Sequence, residues 1–173
     1  MSAAYALIAH ALIFAALCAS LPMGVLKDRM GLIATIFALF AGIAPAMHGI
    51  LGAPSLTLCA IAVRSLTHFP PIQWNRFYLG LFLLFVFPFY YSSLGATDFD
   101  LYAQGYSPDF ILLSLLPLGL FFYFKCFYFS LFILTLDLIA WRLGLFQNLW
   151  DSLFCFPLVW FLIFQFFFFK KIK

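Results

Sequence analysis

The sequence predicts an all-α, polytopic membrane protein, and three observations support this fold class. Hydrophobic residues make up 66% of the 173 residues, the mean hydropathy is +1.11, and only 9% of the residues are charged. A soluble domain cannot cover its surface with so few charges. Several apolar segments also approach the roughly 20 residues that a membrane-spanning helix needs. We therefore expect residues 1–173 to form a single integral membrane domain.

Seven apolar segments follow one another along the chain. Their predicted bounds are Ala3–Leu26, Gly31–Leu51, Gly52–Phe69, Phe77–Leu94, Asp109–Phe124, Cys126–Trp141 and Ser152–Phe169. The third segment is short for a span and contains Arg64. The fifth and sixth come from one long apolar stretch, which we divide at Lys125 although no glycine or proline marks a turn there.

The distribution of basic residues predicts the orientation of these spans. With seven spans, an outside N-terminus and a cytoplasmic C-terminus, eight of the nine Lys and Arg residues lie at or near the inner face. The acidic loop, residues 95–109, then faces outward. If Gly52–Phe69 and Asp109–Phe124 do not cross, five spans remain, the acidic loop faces inward, and only six basic residues lie inside. The charge distribution therefore favours seven spans.

The seven-span arrangement directs several polar residues towards the outer side of the membrane. This candidate polar cluster consists of His10, His48, Asp98, Asp100 and Asp137. Imidazoles and carboxylates at one level can bind a metal ion or relay protons. Alternatively, each histidine packs between helices with a satisfied hydrogen bond, and the aspartates cap or solvate helix ends. The second interpretation is favoured because no His-x-x-His spacing is present, and the sequence identifies no metal or cofactor.

Asp98 and Asp100 form a second, smaller candidate site within the acidic loop. Alternate residues of an extended backbone point the same way, so the two carboxylates can share a divalent cation. A motif of three residues is equally typical of a solvated loop, which is the favoured interpretation.

The second segment contains a stripe of small residues that would allow a neighbouring helix to approach closely. The stripe consists of Gly42, Ala46, Gly49 and Ala53. Pro45 interrupts backbone hydrogen bonding in the same segment, and two interpretations follow. Either the freed backbone groups line a cavity, or the helix is kinked and tightly packed, and the chain turns at Gly52–Pro54 into a helix capped by Ser55.

Arg64 and Asp137 are the two charged residues that we expect within the depth of the bilayer. Each is costly there unless it is paired or lines a polar path. They can form an ion pair across helices, which would be structural, or flank such a path.

Two functional hypotheses remain, and the first is favoured because the chain offers no complete catalytic site. It is a non-catalytic membrane subunit or accessory protein, with the lipid bilayer and other membrane protein subunits as partners. The alternative is a small transporter or enzyme that acts on a lipid-linked or metal-bound substrate at the outer leaflet. Nucleic acid is not expected as a partner, because the basic residues lie at helix ends.

The expected location is a bacterial inner membrane, with the endoplasmic reticulum as the alternative. The C-terminal sequence Lys170-Lys171-Ile172-Lys173 matches a dilysine retrieval pattern, which is the observation behind that alternative. The same lysines are also what any inward-facing helix end requires.

Overall fold

The structure is a computed structural model that describes residues 3–21, 27–67 and 75–168. It confirms the all-α prediction, since no β-strand occurs in these three ranges. The helices are α1 (Ala3–Ala19), α2 (Lys27–Phe40), α3 (Ile43–Leu51), α4 (Leu56–Leu66), α5 (Arg76–Tyr91), α6 (Pro108–Phe124), α7 (Tyr128–Arg142), α8 (Leu149–Leu153) and α9 (Phe156–Phe168).

These helices divide between two compact units, residues 1–71 and residues 72–173. Helices α1 to α4 belong to the first unit, and α5 to α9 belong to the second. Two compact units can be parts of one membrane domain, so the expected single domain stays a prediction.

In the first unit, α1 packs against α2, α3 and α4 through alanine side chains. The buried alanines are Ala6, Ala9, Ala11, Ala15 and Ala19 on α1, Ala34 and Ala38 on α2, Ala44 on α3, and Ala62 on α4. Such small side chains let helix backbones approach closely. Close packing by small residues was predicted for Gly42, Ala46, Gly49 and Ala53, none of which is among these buried alanines of the described residues.

Within the predicted segment Gly31–Leu51 the chain breaks between α2 and α3 with a bend of 75°, which agrees with the interpretation of a kinked helix. The break lies at Ala41 and Gly42, where Gly42 adopts a left-handed conformation with φ of 76°. Pro45 explains the position of the break, since its nitrogen cannot donate to the carbonyl four residues earlier. Pro45 instead occupies the first turn of α3, where the backbone N–H groups have no partner within the helix.

The turn from α3 into α4 agrees with the second interpretation of this region. Gly52 ends α3 with φ of 69° and ψ of −158°, a conformation that favours glycine. The Ser55 hydroxyl accepts a hydrogen bond from the Leu58 backbone N–H at 3.3 Å, which confirms Ser55 as the cap of α4.

The second unit begins with α5, which continues through a π-helical turn at Ser92–Ala96. Helix α5 packs against α9, and α6 packs against α7. The predicted division at Lys125 is confirmed, because α6 ends at Phe124 and α7 begins at Tyr128. Cys126 makes this turn with a positive φ of 56°, which explains why neither glycine nor proline marks it.

The last predicted segment, Ser152–Phe169, is wrong as a single helix. The chain forms the short helix α8, becomes extended at Phe154, and only then begins α9 at Phe156. Asn148 starts α8 by accepting a hydrogen bond from the Trp150 backbone N–H at 2.9 Å. Phe154 is retained in the core, where its ring stacks on Trp150 with centroids 5.6 Å apart.

By length and composition, Arg76–Gly95 is the one described helix suited to cross a membrane. The bent pair Arg29–Phe40 and Ile43–Leu51 provides a second if it forms one span. The apolar helices α1, α4, α6 and α9 are shorter. A bundle of seven spans is therefore not confirmed, and one or two such helices are weak evidence for a membrane protein. The dilysine pattern at residues 170–173 lies outside the described residues.

Candidate functional site

The first unit brings His10 and His48 together. His10 lies on the alanine-rich face of α1, with 1% of its surface exposed, and His48 is half-buried on α3. Their ring centroids are 6.0 Å apart and the rings are tilted by 50°. The small alanine side chains beside His10 leave room for α3 to approach, so the packing of α1 creates the pair.

A hydrogen bond determines the tautomer of His10. Its Nε2 lies 2.8 Å from the backbone carbonyl oxygen of Gly52. A carbonyl oxygen only accepts, so Nε2 carries the hydrogen and donates it. In the neutral ring, Nδ1 then holds a lone pair.

The Nδ1 atoms of both histidines are buried, and no described protein atom forms a hydrogen bond with either. The prediction that each histidine would pack with a satisfied hydrogen bond therefore holds for Nε2 of His10 but not for the Nδ1 atoms. Buried polar atoms usually have a partner, so these two nitrogens mark the place in the first unit where a ligand can bind.

Tyr5 provides a second link between α1 and the turn that follows α3. Its hydroxyl donates a hydrogen bond to the carbonyl oxygen of Pro54 at 3.1 Å. Together with the bond from His10 to Gly52, this contact holds residues 52–55 against α1. These two hydrogen bonds fix the turn that follows His48 against the helix that carries His10.

Three other members of the predicted cluster belong to the second unit. Asp98 and Asp100 are exposed on the acidic loop, and Asp137 is fully buried in α7. One Asp100 oxygen accepts a hydrogen bond from the Tyr102 backbone N–H at 2.8 Å, which closes a local turn. Among the described residues, no group of three or more His, Cys, Asp or Glu side chains could hold a metal ion.

The predicted partners Arg64 and Asp137 also lie in different units. Arg64 is half-buried near the end of α4, in the first unit. The Ser152 hydroxyl lies 3.5 Å from the backbone carbonyl oxygen of Asp137, which connects α8 to α7. The ion pair between Arg64 and Asp137 stays a prediction.

Ala46 and Gly49 are the members of the predicted stripe that lie on α3, whereas Gly42 lies at the break before α3 and Ala53 in the turn after it. Gly42, Ala46 and Gly49 are exposed, and Ala53 is half-buried. A methyl group added at Gly42 or Gly49 would meet no atom within 4 Å. Ala46 and Gly49 therefore lie on an exposed part of α3.

Sequence reasoning missed a polar network that joins the acidic loop to α8. The Tyr102 hydroxyl lies 3.0 and 3.1 Å from the two carboxylate oxygens of Asp151. The Asn148 side-chain amide donates to the Tyr102 carbonyl oxygen at 2.8 Å, and the Trp150 indole N–H donates to the Leu101 carbonyl oxygen at 2.9 Å. The spacing of Asn148 and Asp151, which resembles a capping pattern, was the available signal for α8.

Burial controls the ionisation of this network. It raises the pKa of Asp151, and the hydrogen bond from Tyr102 opposes this shift by lowering the pKa. Burial and then the charge of Asp151 raise the pKa of the Tyr102 hydroxyl, so Tyr102 remains a hydrogen-bond donor at neutral pH. Asp151 is already held by Tyr102, which gives the network a structural role.

Comparisons with protein families, with curated proteins and with solved structures found no match.

Proposed function

We propose that this chain is an integral membrane protein that serves as a non-catalytic subunit or accessory protein of a larger membrane complex. The observation that carries the proposal is the exposure of large apolar side chains on the helices of both units. The most exposed include Phe40, Ile50, Phe87, Leu94, Leu113 and Leu143. Water-exposed surfaces of soluble monomers rarely contain large apolar patches, whereas lipid and protein partners both cover such side chains.

The helix Arg76–Gly95 supports the membrane location, because only 22% of its 18-residue apolar stretch is buried inside the protein. A core helix of a soluble protein would be mostly buried. In our proposal seven segments cross the bilayer, with the N-terminus outside and the C-terminus in the cytoplasm. A bacterial inner membrane is the proposed location, with the endoplasmic reticulum as the alternative.

Chemical labelling of the acidic loop distinguishes seven spans from five. Thr97 is exposed on this loop, and a single cysteine introduced by Thr97→Cys after removal of the native cysteines reports the side on which it lies. With seven spans, a membrane-impermeant maleimide labels this cysteine in intact cells. With five spans, labelling requires permeabilised cells.

Native Cys126 provides the matched control for this experiment. It is exposed at the turn between α6 and α7, beside Lys125, and faces inward in both arrangements. A variant that retains only Cys126 is therefore expected to resist labelling until the cells are permeabilised. Labelling of Cys126 in intact cells would contradict the proposed orientation.

The exposed small residues on α3 support contact with another membrane protein. Within a bilayer, helices associate by close packing of small residues, because lipid provides no hydrophobic drive. Ala46 and Gly49 on α3 offer such a surface, since both are exposed and a methyl group added at Gly49 would meet no described atom within 4 Å.

A pull-down from the native membrane tests the proposed subunit role. The tagged chain is extracted in mild detergent, and the co-purifying proteins are identified and quantified by mass spectrometry. We expect a stoichiometric membrane protein partner, and we expect Gly49→Leu to reduce its recovery because the bulky side chain blocks close approach. Ala4→Leu, at another exposed small residue, is the control and should retain the partner. Purification of the chain as a single species without a partner would contradict the proposal.

A further inference from the structure

We propose that His10 and His48 bind one monovalent copper ion, Cu(I), between their Nδ1 atoms. This inference concerns ligand binding by the first unit and does not depend on the proposed subunit role. It is based on the orientation of His10, the separation of the two rings, and the charges of the residues in this unit.

The orientation of His10 is that of a metal ligand. A histidine that binds a metal through one nitrogen usually donates the N–H of its other nitrogen to a carboxylate or a backbone carbonyl, which fixes the tautomer. His10 does this through Nε2 and the Gly52 carbonyl oxygen. Its Nδ1 is consequently left as a buried lone pair that no described protein atom satisfies.

The ring separation fits one ion shared by two imidazoles. With a metal–nitrogen bond of about 2.0 Å and about 1.1 Å from nitrogen to ring centre, two rings on one ion have centroids at most about 6.2 Å apart. The observed centroid separation of His10 and His48 is 6.0 Å, which lies within that limit. His48 also presents a buried Nδ1 without a hydrogen bond from the described protein.

His10 and His48 provide two protein ligands, which favours a metal ion that is stable with two ligands. The described residues contain no group of three or more His, Cys, Asp or Glu side chains suited to a metal. Protein sites for Zn²⁺ use three or four protein ligands. Imidazole is a good ligand for copper, and Cu(I), a d¹⁰ ion, forms stable two-coordinate complexes.

The charge of the first unit also favours a monovalent ion. Asp28 is the only carboxylic residue between positions 1 and 71, and it lies at the start of α2, about 18 Å along that helix from its break with α3. The energy of placing an uncompensated charge in a medium of low dielectric constant increases steeply with charge. Two neutral imidazoles, one of them on the alanine-rich face of α1, therefore suit a single positive charge better than a double one.

A Cu(I) titration of the full-length protein after replacement of its four free cysteines by serine, in mild detergent, without oxygen and with a chromophoric Cu(I) chelator as competitor, tests this site, because thiolates would otherwise bind Cu(I) first. We expect one Cu(I) per chain. We expect His10→Ala and His48→Ala each to weaken binding by more than about 100-fold. Loss of a group that only hydrogen-bonds to a metal ligand costs up to about 100-fold, and these substitutions remove a ligand itself. The control is His68→Ala, which removes the remaining histidine and should leave the affinity unchanged.

The corresponding titration with Zn²⁺ tests whether the site prefers a monovalent ion. Tighter binding of Zn²⁺ than of Cu(I) would overturn that preference, and loss of Cu(I) binding in His68→Ala would overturn the choice of ligands. Circular dichroism and gel filtration of each variant show whether it remains folded.

Nitrogen-15 NMR of the wild-type protein provides a measurement that does not depend on folded variants. Ag(I), a redox-stable analogue of Cu(I), is added to protein labelled at histidine in excess over the four free cysteine thiols, which bind it first. We expect the Nδ1 resonances of two histidines to shift while Nε2 of His10 keeps its proton. Unchanged Nδ1 resonances, or loss of the Nε2 proton, would refute the proposal.

Discussion

The hydroxyl of Tyr102 lies 3.0 and 3.1 Å from the two carboxylate oxygens of Asp151, a residue 49 positions further along the chain. This contact joins the acidic loop to α8. The nearby bonds from Asn148 and Trp150 to the backbone of residues 101–102 connect the same two segments. The loop is thus held at three points in the second unit, and its conformation depends on residues near the end of the chain.

Tyr102→Phe is expected to destabilise the second unit by about 1.5 kcal/mol, because hydrogen bonds to charged groups contribute about 1.5–3 kcal/mol. The measurement is thermal unfolding of the purified protein in detergent, followed by tryptophan fluorescence. Tyr123→Phe is the control, since that tyrosine is exposed. Equal melting temperatures for the two variants would show that the contact with Asp151 adds no stability.

The raised pKa of the half-buried Asp151 predicts that stability decreases as the pH rises. Its pKa is raised from the ordinary value of 3.8, so the folded state binds the proton more tightly than the unfolded state. This contribution is fully present below the unfolded pKa and is lost as the pH rises through the folded pKa, so the loss begins at about pH 4.

Thermal unfolding of Asp151→Asn across this pH range checks the prediction. The variant has no titrating group at this position, so its melting temperature should vary less with pH than that of the wild type. Asp98→Asn, at an exposed position, should keep the wild-type dependence. A steeper dependence in Asp151→Asn would contradict the assigned direction of the pKa shift.

Gly105→Ala is expected to destabilise the protein by several kcal/mol. A methyl group at this buried glycine would overlap the Asn148 side chain and the Trp150 indole, and overpacking typically costs about 1–3 kcal/mol before any lost hydrogen bonds are included. Gly49→Ala is the matched control in a helix, where the added methyl meets no atom within 4 Å. That substitution should be neutral or stabilising by up to about 1 kcal/mol. Chemical denaturation of both variants compares them directly.

Ser55→Ala should destabilise the first unit by about 1 kcal/mol, because it removes the side-chain acceptor at the start of α4. Ser55 is fully buried, so water cannot replace that acceptor. Ser65→Ala, at an exposed position in the same helix, should have little effect. Melting temperatures of the two variants in detergent measure the difference, and a lower value for Ser65→Ala would contradict the role of the cap.

Local sequence patterns were sufficient for some parts of the fold. A long apolar run identified α5, the charge of Lys125 identified the turn between α6 and α7, and Ser55 after Pro54 identified the start of α4. Each of these signals acts over a few residues. Composition also indicated the all-α class, because the chain consists mostly of apolar segments of helical length.

The remaining features depend on contacts that local patterns do not encode. Residues 46 to 49 positions apart form the hydrogen bonds of Tyr102, Asn148 and Trp150. The partner of His10 is a backbone carbonyl 42 positions away, so neither its tautomer nor its closeness to His48 could be derived from spacing. The break before Pro45 had a local signal, but its angle depends on how α2 and α3 pack against α1.

The bend between α2 and α3 limits the bilayer thickness that this region can match. Their lengths are about 21 Å and 14 Å, but at a bend of 75° α3 adds only about 4 Å along the axis of α2. The pair therefore reaches about 25 Å, which is less than the roughly 30 Å of a typical hydrocarbon core. As one of the proposed spans, the pair would match a bilayer of lipids with short acyl chains, whereas the 20-residue helix Arg76–Gly95, about 30 Å long, matches a typical one.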